Sequence, residues 1–261
     1  MSDEVLLECR DNGVAIVTLN RPQAMNALSK TLRQQLYTTM TKIHDDDSIN
    51  VVIVTGAGDK AFTAGLDLKE LGSDDTDLSA AVDPNPVSNP VNAIQYCGKP
   101  VIGAINGVAI TGGFEVALAC DILIASRNAR FADTHALVGI MPGWGLSQKL
   151  TRLLGTSRAK ELSFSGRFID AQTAYEWGLV NRVVEADELM AAALELAGRI
   201  SAVDSEFLRH YRELIETGYD LPFNKALDYE CKFSTAFNGR VTPDDIERRR
   251  QAVMARGRAQ K

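Results

Sequence analysis

Two stretches of this chain set glycine between an apolar run and residues able to bind or move charge. One is Ala61-Phe62-Thr63-Ala64-Gly65-Leu66-Asp67-Leu68-Lys69. The other is Asn106-Gly107-Val108-Ala109-Ile110-Thr111-Gly112-Gly113-Phe114-Glu115. Glycine lets a backbone turn sharply and come close to a ligand. Where the second turn opens a helix, the first N–H groups lack intrahelical acceptors and carry the positive end of the helix dipole. Two such donors aimed at one point stabilise an oxyanion, by about 2.7–4 kcal/mol each at the barrier. The same glycines would equally serve close packing of a helix. Glu115 follows Gly112 by about one helical turn, so its carboxylate can stand beside such donors. A helical Glu is usually solvated, but Val116, Ala117, Leu118 and Ala119 predict a buried helix, in which an unpaired carboxylate is costly.

The elements that must hold these turns are readable in outline. Val5 to Cys9 and Val14 to Leu19 flank Asp11-Asn12-Gly13 and predict a hairpin. Ser29 can cap a helix reaching about His44, with Leu32, Leu36, Met40 and Ile43 on one face. Val51 to Thr55, Val101 to Ile105 and Ile122 to Ala125 read as strands, and a helix starts near Gly113. Alternation of strands and helices implies an α/β fold with substantial parallel pairing. The polar segment 72–92, rich in Asp, Pro and Ser, is expected as a surface loop, either a lid or an inert insertion. From Leu146 onward the pattern is mainly helical, and Thr242 with Pro243 marks a late helix start.

Composition narrows the function classes. The 261 residues are 45% hydrophobic, enough for a sizeable core. Lys and Arg number 28 against 34 for Asp and Glu, a net charge of −6, which argues against a nucleic-acid-binding role. Cys9, Cys97, Cys120 and Cys231 are scattered, so neither a zinc site nor a disulfide framework is expected. The acidic start and the lack of a long apolar run lead us to expect a cytoplasmic protein that does not enter the membrane. No GxGxxG opens a helix and no GxxxxGK[ST] loop occurs.

Over nearly its full length the chain resembles the enoyl-CoA hydratase/isomerase (crotonase) family. The resemblance rests on Arg21-Pro22 with Asn26-Ala27-Leu28, the Ala61 to Lys69 turn, Lys99-Pro100-Val101-Ile102 and Asn106-Gly107. It continues through Gly112-Gly113-Phe114-Glu115, Cys120-Asp121, Arg130-Phe131-Ala132 and Gly139-Ile140-Met141-Pro142-Gly143, then Leu162 to Gly166 and Ala174 to Asn181. It implies a spiral of repeated ββα units over residues 1–195. A C-terminal helical region, 196–261, would assemble a homotrimer or a dimer of trimers. It further implies an acyl-CoA substrate, an oxyanion hole from the N–H groups of Leu66 and Gly112, and a coenzyme A path along Ala64, Leu66, Asp67, Leu68 and Lys69. No metal or dissociable cofactor is expected, because coenzyme A enters within the substrate.

Hydratases of this family are similar in using two glutamates, and Glu115 falls on the first position. At the second, this chain reads Asp133-Thr134-His135. Imidazole, with an unperturbed pKa of about 6.5, can give or take a proton at neutral pH. His135 therefore either replaces the missing acid or serves only as a pocket wall. If the segment is extended, Asp133 and His135 share a face, and Asp133 is either a further candidate or an orienting partner. Trp144, between Gly143 and Gly145, adds an indole that would line the acyl chain or form a plain hydrophobic wall. The expected activity is hydration of the 2,3 double bond of an enoyl-CoA in fatty acid β-oxidation chemistry. Isomerisation, thioester hydrolysis and non-catalytic acyl-CoA binding are the alternatives.

Overall fold

The computed structural model describes residues 3–72 and 87–259. The chain divides into two compact units, Met1–Ser205 and Glu206–Lys261.

The first unit begins with the expected hairpin. Strands β1 (Val5–Cys9) and β2 (Val14–Leu19) pair antiparallel from Val5 opposite Leu19 to Cys9 opposite Ala15. Gly13 makes the turn at φ 76°. Helix α1 (Lys30–Asp45) starts where Ser29 Oγ accepts the Leu32 N–H at 3.0 Å, and buries Leu32, Leu36, Met40 and Ile43.

The chain then repeats one pattern three times. Strands β3 (Val51–Gly56) and β4 (Ala61–Thr63) lead to α2 (Leu68–Leu71) and, beyond the undescribed stretch, α3 (Pro90–Tyr96). Next, β5 (Val101–Ile105) and β6 (Val108–Ile110) lead to α4 (Gly112–Ala117). Finally β7 (Ile122–Ser126) and β8 (Arg130–Ala132) lead to α5 (His135–Val138). The first strand of each pair joins a six-stranded sheet, and the second a four-stranded sheet. The chain thus winds as a spiral of ββα units, in agreement with the expected fold class.

Helices α6 (Leu146–Leu154) and α7 (Thr156–Ser165) follow, then β9 (Ile169–Asp170), α8 (Ala171–Glu176), β10 (Arg182–Val184) and α9 (Leu189–Ser201). The sheets run β1-β2-β3-β5-β7-β10 and β4-β6-β8-β9. Period-two alternation divides the core. Val52 and Val54 pack with α1 and α4 on one face of the large sheet, whereas Val51 and Ile53 pack with Leu189, Ala193 and Ala197 of α9 on the other. A sheet covered on both faces explains why β3 is a continuous apolar run.

Two expectations are corrected. The break expected at 195 falls inside α9, whose buried side chains bind it to the large sheet, so the first unit extends to Ser205. The loop expected through Asn92 ends earlier. Asn89 Oδ1 accepts the N–H groups of Val91 and Asn92 at 3.0 and 3.2 Å, which starts α3 at Pro90 and buries Val91 and Ile94. Residues 73–86 of that expected loop lie outside the described residues.

Helix α10 (Ser205–Asp220) leads into the second unit, which continues with α11 (Phe223–Asn238) and α12 (Pro243–Ala259). Phe207 meets Phe237 edge-on with ring centroids 5.6 Å apart. Thr242 Oγ1 accepts the Asp245 N–H at 3.2 Å, so α12 begins at the expected cap.

Candidate active site

The short sheet positions the site. Parallel strands β4, β6 and β8 are neighbours, with Ala61 beside Val108 and Val108 beside Arg130. Their C-terminal ends therefore lie side by side, and the turns they feed, at residues 64–69, 111–115 and 133–135, meet in one place. The two glycine turns interlock there. A Cβ on Gly113 would stand 2.0 Å from the Thr63 carbonyl oxygen, which only glycine avoids. Gly65 has φ +87°, and a Cβ there would lie 2.8 Å from Ile110 O and 3.1 Å from Gly112 N.

This interlocking brings the two expected donors together. Leu66 N lies 3.5 Å from where a Cβ on Gly112 would stand. Gly112 is the first residue of α4, so its N–H has no acceptor within the helix. The Leu66 turn is pinned by two hydrogen bonds, Leu28 N–H to Gly65 O at 2.8 Å and Ala64 N–H to Met25 O at 3.0 Å.

Thr111, which precedes Gly112, holds φ 55° and ψ −112°, a conformation costly for a β-branched side chain, about 1–3 kcal/mol. It is fixed from both sides. Its N–H donates to Ala132 O at 2.8 Å, and its Oγ1 accepts the Thr134 N–H at 3.1 Å while pairing with the Thr134 hydroxyl. Sequence reasoning passed over both threonines, because no propensity rule places threonine at positive φ. Their only trace is the position of Thr111 between a strand and Gly-Gly.

Glu115 is 2% exposed. Its Oε1 accepts the N–H groups of Trp144 at 2.8 Å and Leu146 at 3.2 Å. Burial pushes its carboxyl above the ordinary carboxylate range, against the opposing pull of those two amides and of His135. Its Oε2 stands 3.8 Å from His135 Nε2. The other ring nitrogen of His135, Nδ1, lies 2.7 Å from Asp133 Oδ1, which also accepts the His135 N–H at 3.1 Å. Burial raises the Asp133 carboxyl, but hydrogen bonds from His135 and Ser163 outweigh it, and the net direction is down.

Asp133 and His135 do meet, though not by extended-strand alternation. His135 is the first residue of α5, and the Asp133 side chain turns back to receive its N–H.

Ala64, Leu66, Leu68, Gly112, Glu115, His135 and Trp144 line one pocket of about 640 Å³, together with Thr111, Thr134, Leu71, Val138, Ile140, Met141 and Gly143. The Trp144 ring lies over Gly112, its Cζ3 2.9 Å from a Cβ built there. Asp67 and Lys69 do not line this pocket. Asp67 instead accepts from Arg21 Nη1 at 2.9 Å and caps the Lys69 N–H at 3.1 Å, holding the start of α2. Among the described residues, no group of three or more His, Cys, Asp or Glu could hold a metal ion, and no helix is long and apolar enough to cross a membrane.

The family model for enoyl-CoA hydratase/isomerase matches residues 9–247. A probable peroxisomal enoyl-CoA hydratase of Arabidopsis thaliana is 38% identical over 245 residues, covering 94% of this chain and 91% of its own. The short-chain-enoyl-CoA hydratase of Clostridium acetobutylicum is 38% identical, covering 88% and 87%. The crystal structure of an enoyl-CoA hydratase from Bacillus anthracis superposes with a TM-score of 0.88 at 36% identity, over 97% of both chains. With matched residues spanning both glycine turns and the Glu115 helix, this chain belongs to the enoyl-CoA hydratase/isomerase family.

Proposed function

We propose that the chain hydrates the 2,3 double bond of an enoyl-CoA thioester, with Glu115 and His135 as its two proton-handling groups. The observation that carries this reading is Glu115 Oε2, buried in the pocket and facing His135 Nε2 at 3.8 Å. Attack of water on C3 pushes charge onto the thioester oxygen, and the N–H groups of Leu66 and Gly112 would stabilise that enolate more than the neutral substrate. Glu115 would take the proton of the attacking water, and His135 would deliver one to C2. The reading needs no separate cofactor, since the thioester arrives with its own coenzyme A.

Ala64 and Leu68 line the pocket and would flank the bound thioester. Asp67 and Lys69 would shape the coenzyme A path from outside it, Asp67 through its bond to Arg21. Trp144 would cover the acyl side of Gly112. A homotrimer or dimer of trimers built through the second unit is supported by its exposed apolar side chains, including Ile215 and Tyr219 at 60% exposure and Phe223 at 79%. Four cysteines, none of them in a disulfide, fit a reducing, cytoplasmic setting.

The test is turnover of crotonyl-CoA followed by loss of enoyl absorbance. Glu115→Gln is expected to lower kcat by about 10²–10⁴-fold with acyl-CoA affinity largely kept. Near-full turnover by that variant would remove Glu115 from the mechanism. The Asp133–His135 pair beside two backbone donors also suits water attack on the thioester carbonyl itself. Release of free coenzyme A, with no hydroxyacyl product, would favour that second reading.

A further inference from the structure

Behind the pocket wall, against His135, lies a third ionisable side chain that the hydration reading leaves without a task. Asp133 is 2% exposed, and its Oδ1 holds both the backbone N–H and the ring Nδ1 of His135. A hydrogen bond from the Ser163 side chain fastens the carboxylate to α7. The ionised carboxylate only accepts, so the ring nitrogen it faces at 2.7 Å must carry a proton. This leaves Nε2, the nitrogen facing Glu115, as the one that can exchange.

We propose that Asp133 is a positioning residue that commits His135 to the Nδ1–H form, so that His135 Nε2 and Glu115 Oε2 pass a single proton around the hydration cycle. The proposal rests on the hydratase reading and deepens it. At the start the ring carries a proton on Nε2 as well as the one held on Nδ1, and Glu115 is ionised. The oxygen of water bonds to C3 and loses a proton to Glu115 Oε2, while the π electrons move through C2 to the thioester oxygen. The enolate then collapses, and C2 takes the proton from Nε2. Glu115 is now protonated and His135 neutral. Return of that proton from Oε2 to Nε2, 3.8 Å apart and so bridged by one water, restores the starting state, with one water added to the substrate and nothing oxidised or reduced.

Two carboxylates in this role would repel one another. An imidazole held between two carboxylates, Asp133 at one nitrogen and Glu115 at the other, instead gives its proton-bearing form an attractive partner on each side. Among the described residues these are the charged groups that face the ring, from the turn after β8 and from α4. Orientation of a histidine by a second group is commonly worth about 10–100-fold in activity at metal sites, and more in hydrolytic triads.

The experiment compares the full chain with its Asp133→Asn and Ser163→Ala variants. In Asp133→Asn we expect kcat for crotonyl-CoA to fall by about 10²-fold with KM nearly unchanged. The alkaline limb of kcat should move to lower pH, because the proton-bearing ring has lost its anionic partner. Ser163→Ala should move the same limb the same way by less. Nitrogen-15 NMR of the side chain should show His135 protonated at Nδ1 in the parent and a changed tautomer in Asp133→Asn.

A lower melting temperature with an unmoved pH profile would mean a structural role and would overturn the proposal, as would a parent ring protonated at Nε2 and bare at Nδ1. Failure of the parent to hydrate crotonyl-CoA would count against the hydratase reading alone, since the NMR comparison still decides what Asp133 does.

Discussion

Glu115 carries opposing demands. As the proposed base it must lose its proton, yet it is buried where a charge is poorly solvated, and two backbone amides offset only part of that cost. Because its carboxyl is raised, deprotonation costs more in the folded chain than in the unfolded one. Stability from this group therefore falls as pH rises from the unfolded value of about 4.3 through the folded value, and is level above it. A glutamine keeps the oxygen that accepts from Trp144 and Leu146 but cannot ionise. We expect Glu115→Gln to melt at higher temperature than the parent at pH 7, with the difference closing below about pH 4; calorimetry across that range checks it. Asp133 acts with the opposite sign. Its lowered carboxyl contributes stability above its unfolded value of about 3.9 that is lost as pH falls through the folded one. Glu115 was legible because its helix is apolar all round. His135 was noticed by its departure from the two-glutamate pattern, but its distance to Glu115 depends on a turn that sequence does not disclose.

At the level of elements, long runs were readable and short ones were not. The hairpin, α1, β3, β5 and β7 follow from period and capping over five residues or more. Strands β4, β6 and β8 have three residues each, too few to show a period, and they exist because parallel neighbours pair with them. Yet these strands bring the three chemical turns together, so the meeting of Leu66, Gly112 and His135 could not be derived from periodicity. The glycines fix how tightly they meet. Gly113→Ala would drive a methyl group into the Thr63 carbonyl, and backbone cannot move aside as a flexible side chain does. We expect a loss of about 1–3 kcal/mol in chemical denaturation. A fall in kcat beyond what stability explains should accompany it, because Gly112 is the adjacent residue. Wild-type denaturation in that variant would show that the turn is looser than drawn.

Over the whole molecule, the fold class was accessible from strand–helix alternation, whereas the end of the first unit was not. A boundary at 195 looks reasonable in sequence, but α9 is bound to the large sheet through residues on both sides of that point. The chain has two tryptophans in very different surroundings. Trp177 is partly buried with the guanidinium groups of Arg158 and Arg167 at 4.9 and 5.3 Å from its ring centre. Trp144 is 6% exposed and forms a wall of the pocket against Gly112. Replacing Trp177 by Phe would leave a single emitter next to the proposed thioester site. Titrating that variant with butyryl-CoA should change the emission in proportion to occupancy, and Trp144→Phe should abolish the response. Unchanged emission at ligand levels that calorimetry shows to be saturating would place the acyl group elsewhere. An indole lying over the proposed oxyanion donor is therefore also an optical gauge, able to report binding in variants too slow to assay by turnover.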